Sequence, residues 1–133
     1  MPVSLSLQNF DDQLNLTDPE LRNKKVIILV HRPGCMWCEK YMPDYINAEK
    51  ANSDPSIVFA HIDTSKNPQF LETVRSLQGQ IPFKIDGVPS VISYYNGQFY
   101  STYEDSKDGK TYRSIEDTLE YANGIGSAPI TYL

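Results

Sequence analysis

The two cysteines are the residues of this chain best suited to chemistry. Cys35 and Cys38 are the only cysteines, and they stand three positions apart. A disulfide that closes so short a loop removes little entropy from the unfolded chain, so a purely structural crosslink explains this spacing poorly. Two thiols at this spacing can instead exchange electrons with another disulfide. The pair therefore predicts thiol-disulfide chemistry.

The surrounding residues place the pair at the start of a helix. The apolar run 26–30 is typical of a strand buried on both faces, and the segment 35–51 has a helical pattern. The first turn of a helix favours negative charge, which lowers the pKa of a thiol there. Cys35 is the predicted nucleophile, and Cys38 is the resolving thiol that attacks a mixed disulfide formed at Cys35.

The remaining elements predict an α/β fold, with a central mixed β-sheet flanked by helices. Counted from the strand at 26–30, their order is β-α-β-α-β-β-α. The later elements are strands at 57–62, 88–95 and 98–103, and helices at 67–79 and after Ser114. The first two strands of this series should be parallel, because a helical crossover joins them.

The N-terminal part predicts a first strand at 3–7 and a short helix at 18–23, where Pro19 suits the first helical position. The segment 105–110 is charged and predicts a loop. With 133 residues and no repeat or linker, the chain is expected to form a single domain, 1–133.

These landmarks together resemble the thioredoxin superfamily over nearly the whole chain. Cys35-Met36-Trp37-Cys38 stands at the position of the family's active site, and Pro43 lies where thioredoxins carry a helix-bending proline. Gly87-Val88-Pro89-Ser90 is similar to the family's cis-proline loop, and the Asn96-Gly97 turn follows it. The resemblance implies a thioredoxin-like fold and a protein-disulfide reductase or isomerase.

The resemblance also implies a substrate-binding surface. It implies that the Val88-Pro89 bond is cis, that this loop packs against the cysteines, and that the backbone of Val88 pairs with an extended substrate segment. Gly87 belongs to the same loop. Trp37 either lines this surface or folds back onto the domain.

The sequence departs from the family in several positions. Gly34 replaces the usual Trp, and Met36-Trp37 replaces Gly-Pro. The family's buried acid corresponds to Leu29 and its companion lysine to Phe59, so proton transfer at Cys38 would depend on water or another group. Because Trp37 adds no positive charge beside the thiolate, a reducing or isomerising role is favoured over an oxidising one.

Charge and composition restrict the kinds of molecule that the protein is expected to bind. A net charge of -5 disfavours nucleic acid and anionic membranes, and the longest apolar run is far too short to span a bilayer. The expected partners are protein substrates with disulfides or thiols, together with a separate reductase or small thiol for recycling. We expect a cytoplasmic monomer that needs no cofactor or metal.

Other interpretations remain open. His31 and His61 are the only histidines, and with the two thiols they could complete a zinc site, although their spacing is unlike that of zinc fingers. Zinc could also be held between two chains, each donating Cys35 and Cys38. A thioredoxin fold kept as a binding or adaptor module is the main alternative to an enzyme. Neither histidine is included in the predicted catalytic set.

Overall fold

The computed structural model describes residues 1–103 and 113–127. The charged loop predicted at 105–110 lies outside these ranges. Among the helices described, none combines the length and the apolar composition that crossing a membrane requires.

A mixed five-stranded sheet forms the centre of the molecule, in the spatial order β1-β3-β2-β4-β5. β2 runs parallel to β3 and antiparallel to β4, and β1 is parallel to β3. The strands are β1 (Val3–Ser4), β2 (Lys25–His31), β3 (Ile57–Asp63), β4 (Ser90–Tyr95) and β5 (Gln98–Thr102). The apolar run in β2 is therefore central, with a neighbour on each side, as its composition predicted.

Within residues 1–103 and 113–127, three α-helices cover the two faces of this sheet. They are α1 (Met36–Ala51), α2 (Pro68–Ser76) and α3 (Ile115–Asn123). α1 and α3 share one buried cluster with Ile27 and Leu29, whereas α2 packs into a second cluster with Ile28 and Val30. Alternate side chains of β2 thus face opposite helical layers. The predicted order from β2 onward is confirmed.

The N-terminal segment is less regular than predicted. The strand expected at 3–7 covers only Val3–Ser4 and leads into a single 3-10 turn at Leu7–Asn9. The helix predicted at 18–23 is wrong, since these residues form turns in which Leu21 and Arg22 donate to the carbonyl of Asp18. The segment is too short to offset the cost of helix nucleation before β2 begins.

Candidate active site

Cys35 and Cys38 are joined by a disulfide at the start of α1, with their Cα atoms 5.1 Å apart. Cys35 is the N-cap residue and has an extended backbone conformation, while Cys38 lies in the first turn. The backbone N–H of Cys38 donates to Sγ of Cys35 at 3.2 Å. Because a helix N-terminus has N–H groups without backbone partners, negative charge on Sγ of Cys35 would be stabilised here.

Gly34 determines how the chain enters this turn. Its φ of +77° is in the left-handed region that side chains with a Cβ rarely adopt. Its N–H donates to Oε1 of Glu39 at 3.2 Å, which ties the loop to the first part of α1. The local backbone conformation thus favours glycine at the position where thioredoxins carry Trp.

The two sulfur-bearing residues differ in their access to solvent. Cys35 is 8% exposed and Cys38 is 2% exposed, so an incoming sulfur reaches Cys35 more readily. Trp37, between them, is 36% exposed, and Nζ of Lys40 lies 5.2 Å from its ring centroid. The Trp37 ring therefore remains partly at the surface beside the disulfide.

The loop before β4 approaches the disulfide from another part of the chain. The carbonyl oxygen of Val88 lies 3.7 Å from Sγ of Cys35, and the Val88-Pro89 peptide bond is cis. Oγ of Ser90 donates to the carbonyl of Gly87 at 2.6 Å, which closes the loop on itself. Within the described residues, neither backbone polar group of Val88 pairs with another backbone group. The structure thus brings Cys35, Cys38 and Val88 together, with Gly87 and Pro89 adjoining.

The side chains packed beneath α1 form an apolar layer. It includes the two positions where the family resemblance would place a buried acid and its companion lysine. Leu29 and Phe59 are both buried, in one cluster with Tyr41 and Tyr45. The hydroxyl of Tyr45 lies 2.9 Å from the carbonyl oxygen of Ile27. Burial raises the pKa of Tyr45 well above its usual value, so this hydroxyl stays protonated. Among the described residues, the cluster that contains Leu29 and Phe59 has no acidic member.

His31 and His61 form a pair that the sequence analysis did not predict. Nε2 of His31 and Nδ1 of His61 are 2.9 Å apart, so one ring donates a hydrogen bond to the other. Burial lowers the pKa of both rings. His61 lowers the pKa of His31 further, and Lys66 lowers that of His61, whereas Asp63 acts against the shift in both. The parallel register of β2 and β3 brings them together, since Leu29 is opposite His61 and His31 is opposite Asp63.

The pairing of the two histidines argues against a zinc site formed by His31, His61 and the two cysteines of one chain. In the ranges that the structure describes, no three His, Cys, Asp or Glu side chains are grouped closely enough to hold a metal ion. The two imidazoles bind each other, and the two sulfurs are joined in a disulfide. The four donors considered from the sequence are therefore not assembled around one position.

Comparison with known proteins places this geometry in a family. No family model matches the chain. A protein of Invertebrate iridescent virus 6 named as a thioredoxin-like protein, 453L, is 32% identical over 130 residues, which cover 90% of this chain and 91% of the viral protein. The chain belongs to the thioredoxin-like proteins.

Solved structures agree with this assignment at the level of the fold. The zinc-bound form of human ERp44 superposes with a TM-score of 0.64 and 18% identity over 92% of this chain. The first two thioredoxin domains of Naumovozyma dairenensis Eps1p give a TM-score of 0.63 and 18% identity over 92% of it. The chain spans 31% of the ERp44 chain and 40% of the Eps1p chain. This thioredoxin-like protein therefore has the thioredoxin fold, with its cysteine pair at the start of α1.

Proposed function

We propose that the protein is a thiol-disulfide oxidoreductase that reduces or isomerises disulfides in protein substrates. The observation that carries this proposal is the position of Cys35, at the N-cap of α1 and beside the backbone of Val88. Cys35 is the more exposed of the two residues, at 8% against 2% for Cys38, and the local N–H groups favour its sulfur as a thiolate once it is reduced.

The catalytic cycle begins with the reduced pair. The thiolate of Cys35 attacks one sulfur of the substrate disulfide, the substrate S–S bond breaks, and the other substrate sulfur leaves as a thiolate. Cys38 then attacks Sγ of Cys35, which releases the second substrate thiolate and restores the Cys35–Cys38 disulfide. The substrate gains two electrons and the protein loses two, so a separate reductase or a small thiol must reduce the protein again.

The loop at 87–89 supports a role in positioning the substrate. Because the N–H and carbonyl of Val88 have no backbone partner in the described residues, they can pair with an extended substrate segment. Gly87 and Pro89 hold this backbone in place next to Cys35. Trp37, between the two cysteines in the sequence, offers a partly exposed aromatic ring for contact with the substrate.

A trapping experiment tests the two cysteine roles. We expect the wild-type protein to reduce insulin in dithiothreitol and Cys35→Ser to reduce the rate to background. Cys38→Ser should accumulate a mixed disulfide with a protein substrate, visible as a thiol-sensitive band, while the double serine variant, as the matched control, should show none. Insulin reduction that survives Cys35→Ser would refute the assignment of the nucleophile.

A binding or adaptor module is the alternative function, and the apolar layer formed by Leu29 and Phe59 favours it. In the described part of the chain, the cluster around Leu29 and Phe59 contains no carboxyl group to accept a proton from Cys38, so we expect slow turnover. The same variants decide between the two functions, because an adaptor forms no mixed disulfide in Cys38→Ser. The cytoplasmic location stays a prediction.

A further inference from the structure

The histidine pair lies on the face of the sheet that α1 covers. Ile27 and Leu29 belong to the cluster beneath α1, and His31 follows them in β2 at the same interval of two residues. Phe59 and His61 have the same relation in β3. Both imidazoles therefore lie near the carboxyl ends of their strands, on the α1 side.

Cys38 faces the sheet at about the same level. It belongs to the buried face of α1 together with Tyr45, whose hydroxyl lies 2.9 Å from the carbonyl oxygen of Ile27. Position 38 precedes position 45 by about 10 Å along a helix, which equals about three residues of a strand. Because α1 leads the chain back from the end of β2 to the start of parallel β3, it runs antiparallel to both. The step from Ile27 toward Cys38 therefore ends close to His31.

The two rings extend from this level toward solvent. Cys38 is 2% exposed, whereas His31 and His61 are both half-buried. Among the described residues, the hydrogen bond between the rings is the only one that either imidazole makes. Each ring thus keeps one nitrogen, its outer nitrogen, for a further partner.

The surroundings keep the pair neutral and able to accept a proton near pH 7. Burial lowers the pKa of both rings, and Lys66 lowers that of His61 further, while Asp63 opposes both shifts. Although burial acts to raise the pKa of Asp63, its hydrogen bonds lower it, so the carboxylate stays ionised. α1 presents Tyr41 to this face, where burial raises the pKa of Tyr41 to about 12, and β1 presents Ser4, which does not titrate.

We propose that the His31–His61 pair takes the proton that Cys38 must lose before it attacks the mixed disulfide, and gives one back when the Cys35–Cys38 disulfide is reduced. The pair thus supplies the base that the cluster around Leu29 does not contain among the described residues. The proton crosses one bridging water, so the rings position the proton path without touching the sulfur. The proposal rests on the proposed function, since it identifies the base of its second step.

The hydrogen bond between the rings makes the pair a path for protons in both directions. Each neutral imidazole has one N–H and one bare nitrogen. The ring that donates in the shared bond therefore has a bare outer nitrogen, and the other ring has an outer N–H. When the bare nitrogen takes a proton, the shared proton moves across and the far N–H releases one to water. The pair is then left with the opposite arrangement, which is the one that returns a proton to Cys38.

The resolving step balances without any further reactant. The Cys38 proton passes to the pair, and the resulting thiolate attacks Sγ of Cys35. The bond between Cys35 and the substrate sulfur breaks, and the substrate leaves as a thiolate. The protein loses two electrons over the two steps, as in the proposed cycle.

The test measures the resolving step separately from the first attack. Reduced protein is mixed with hydroxyethyl disulfide, an uncharged probe, and the fluorescence of Trp37, the only tryptophan, follows oxidation of the pair. At low probe concentration the rate is set by the attack of Cys35 and rises with concentration. At high concentration it reaches a plateau that is set by Cys38.

The variants remove the proton acceptor but keep a polar partner in the pair. A glutamine amide can replace Nε2 of His31 and an asparagine amide Nδ1 of His61, and neither titrates. We expect His31→Gln and His61→Asn each to lower the plateau about tenfold or more at pH 7, since a general base contributes about 10²–10⁴-fold. The slope at low probe concentration should stay unchanged, and added imidazole should restore part of the plateau. Thr64→Val is the matched control, because it removes a hydroxyl that donates to the carbonyl of His31 and leaves both rings in place.

The pH profile distinguishes proton transfer from a structural role. The wild-type plateau should change little between about pH 7 and 8, where the pair is neutral. In the amide variants it should rise about tenfold per pH unit, because Cys38 must first lose its proton to solvent. A wild-type plateau that rises tenfold per unit would overturn the proposal without any variant. Amide variants with the wild-type plateau, or with a lower plateau, the wild-type pH profile and no rescue by imidazole, would overturn it too.

The outcome for the proposed function is read separately, from trapping by Cys38→Ser. If this variant traps a mixed disulfide but the amide variants resolve as wild type does, the role of the histidine pair fails while the oxidoreductase assignment stands. If the wild type does not react with the probe and Cys38→Ser traps nothing, the proposed function itself fails.

Discussion

Replacing Leu29 with aspartate would test whether the layer under α1 is sealed against water. Leu29 is 0% exposed, and its cluster contains Phe59, Tyr41 and Tyr45. The lost apolar burial costs about 1.5–3 kcal/mol, and an unpaired buried carboxyl group adds about 1–3 kcal/mol even when protonated. The sum, about 2.5–6 kcal/mol, is a large part of the roughly 5–15 kcal/mol that stabilises a typical domain. We expect Leu29→Asp to unfold at much lower urea concentration than wild type.

The loss of unfolding free energy in Leu29→Asp has two causes, the burial of a charged group and the loss of apolar packing. Only the first depends on pH, so measurements at several pH values distinguish them. Burial would raise the pKa of the new carboxyl group in the folded state, so above about pH 4 the folded protein would bind more protons than the unfolded chain. Stability would therefore fall as pH rises, by up to about 1.4 kcal/mol per pH unit. Leu29→Asn is the matched control, because its side chain has similar size but does not titrate.

The assay is urea denaturation of both variants at pH 5, 6 and 7. The difference in unfolding free energy between Leu29→Asp and Leu29→Asn should grow with pH. A difference that stays constant over this range would refute the reasoning, since it would mean that the new carboxylate reaches water or a cation and that the layer is not sealed.

Three further changes probe the scaffold. Tyr45→Phe should destabilise the protein by about 1–3 kcal/mol in urea denaturation, because it removes a fully buried hydroxyl that lies 2.7 Å from the carbonyl oxygen of Ala60 and 2.9 Å from that of Ile27. Gly97→Ala should lower Tm, since Gly97 has a φ of +79° and an added Cβ would lie 2.9 Å from a backbone oxygen, while Gly124→Ala, with no contact closer than 3.4 Å, should lower it far less. Acidification below about pH 6.5 should also lower Tm, because the pKa values of His31 and His61 are lowered in the folded state and the unfolded chain then takes up more protons. His61→Gln should reduce this pH dependence between pH 6.5 and 5, and an unchanged slope would contradict the role of the pair.

Local patterns were sufficient to predict most of the fold. Three signals are each contained in a few neighbouring residues: the apolar run in β2, the cysteine pair and the helical pattern after it. The structure has the corresponding strand, N-cap and helix. The prediction of a helix at 18–23 also used only neighbouring residues, and it was wrong. Its capping residues are suitable, but a segment of this length needs packing that the sequence does not reveal.

Contacts between distant segments were not predictable in the same way. The histidine pair depends on the register of two parallel strands, and a shift of one residue would place the two rings on opposite faces of the sheet. Arg32 and Arg75 are separated by more than forty residues and carry no motif, so only the folded chain shows that they line one groove.

The departure at Gly34 links the disulfide to this groove. Along β2, Leu29 faces the α1 layer and Val30 faces the α2 layer. If the strand continued, Arg32 would point toward α2, and the residues after it would lie on alternate faces. The left-handed conformation of Gly34 breaks that alternation, so that Cys35 can cap α1 while Arg32 still lines the groove with Arg75. A residue with a Cβ would be strained here by about 1–2 kcal/mol. The glycine therefore allows one short turn to connect Arg32, at the groove, to the reactive sulfur of Cys35.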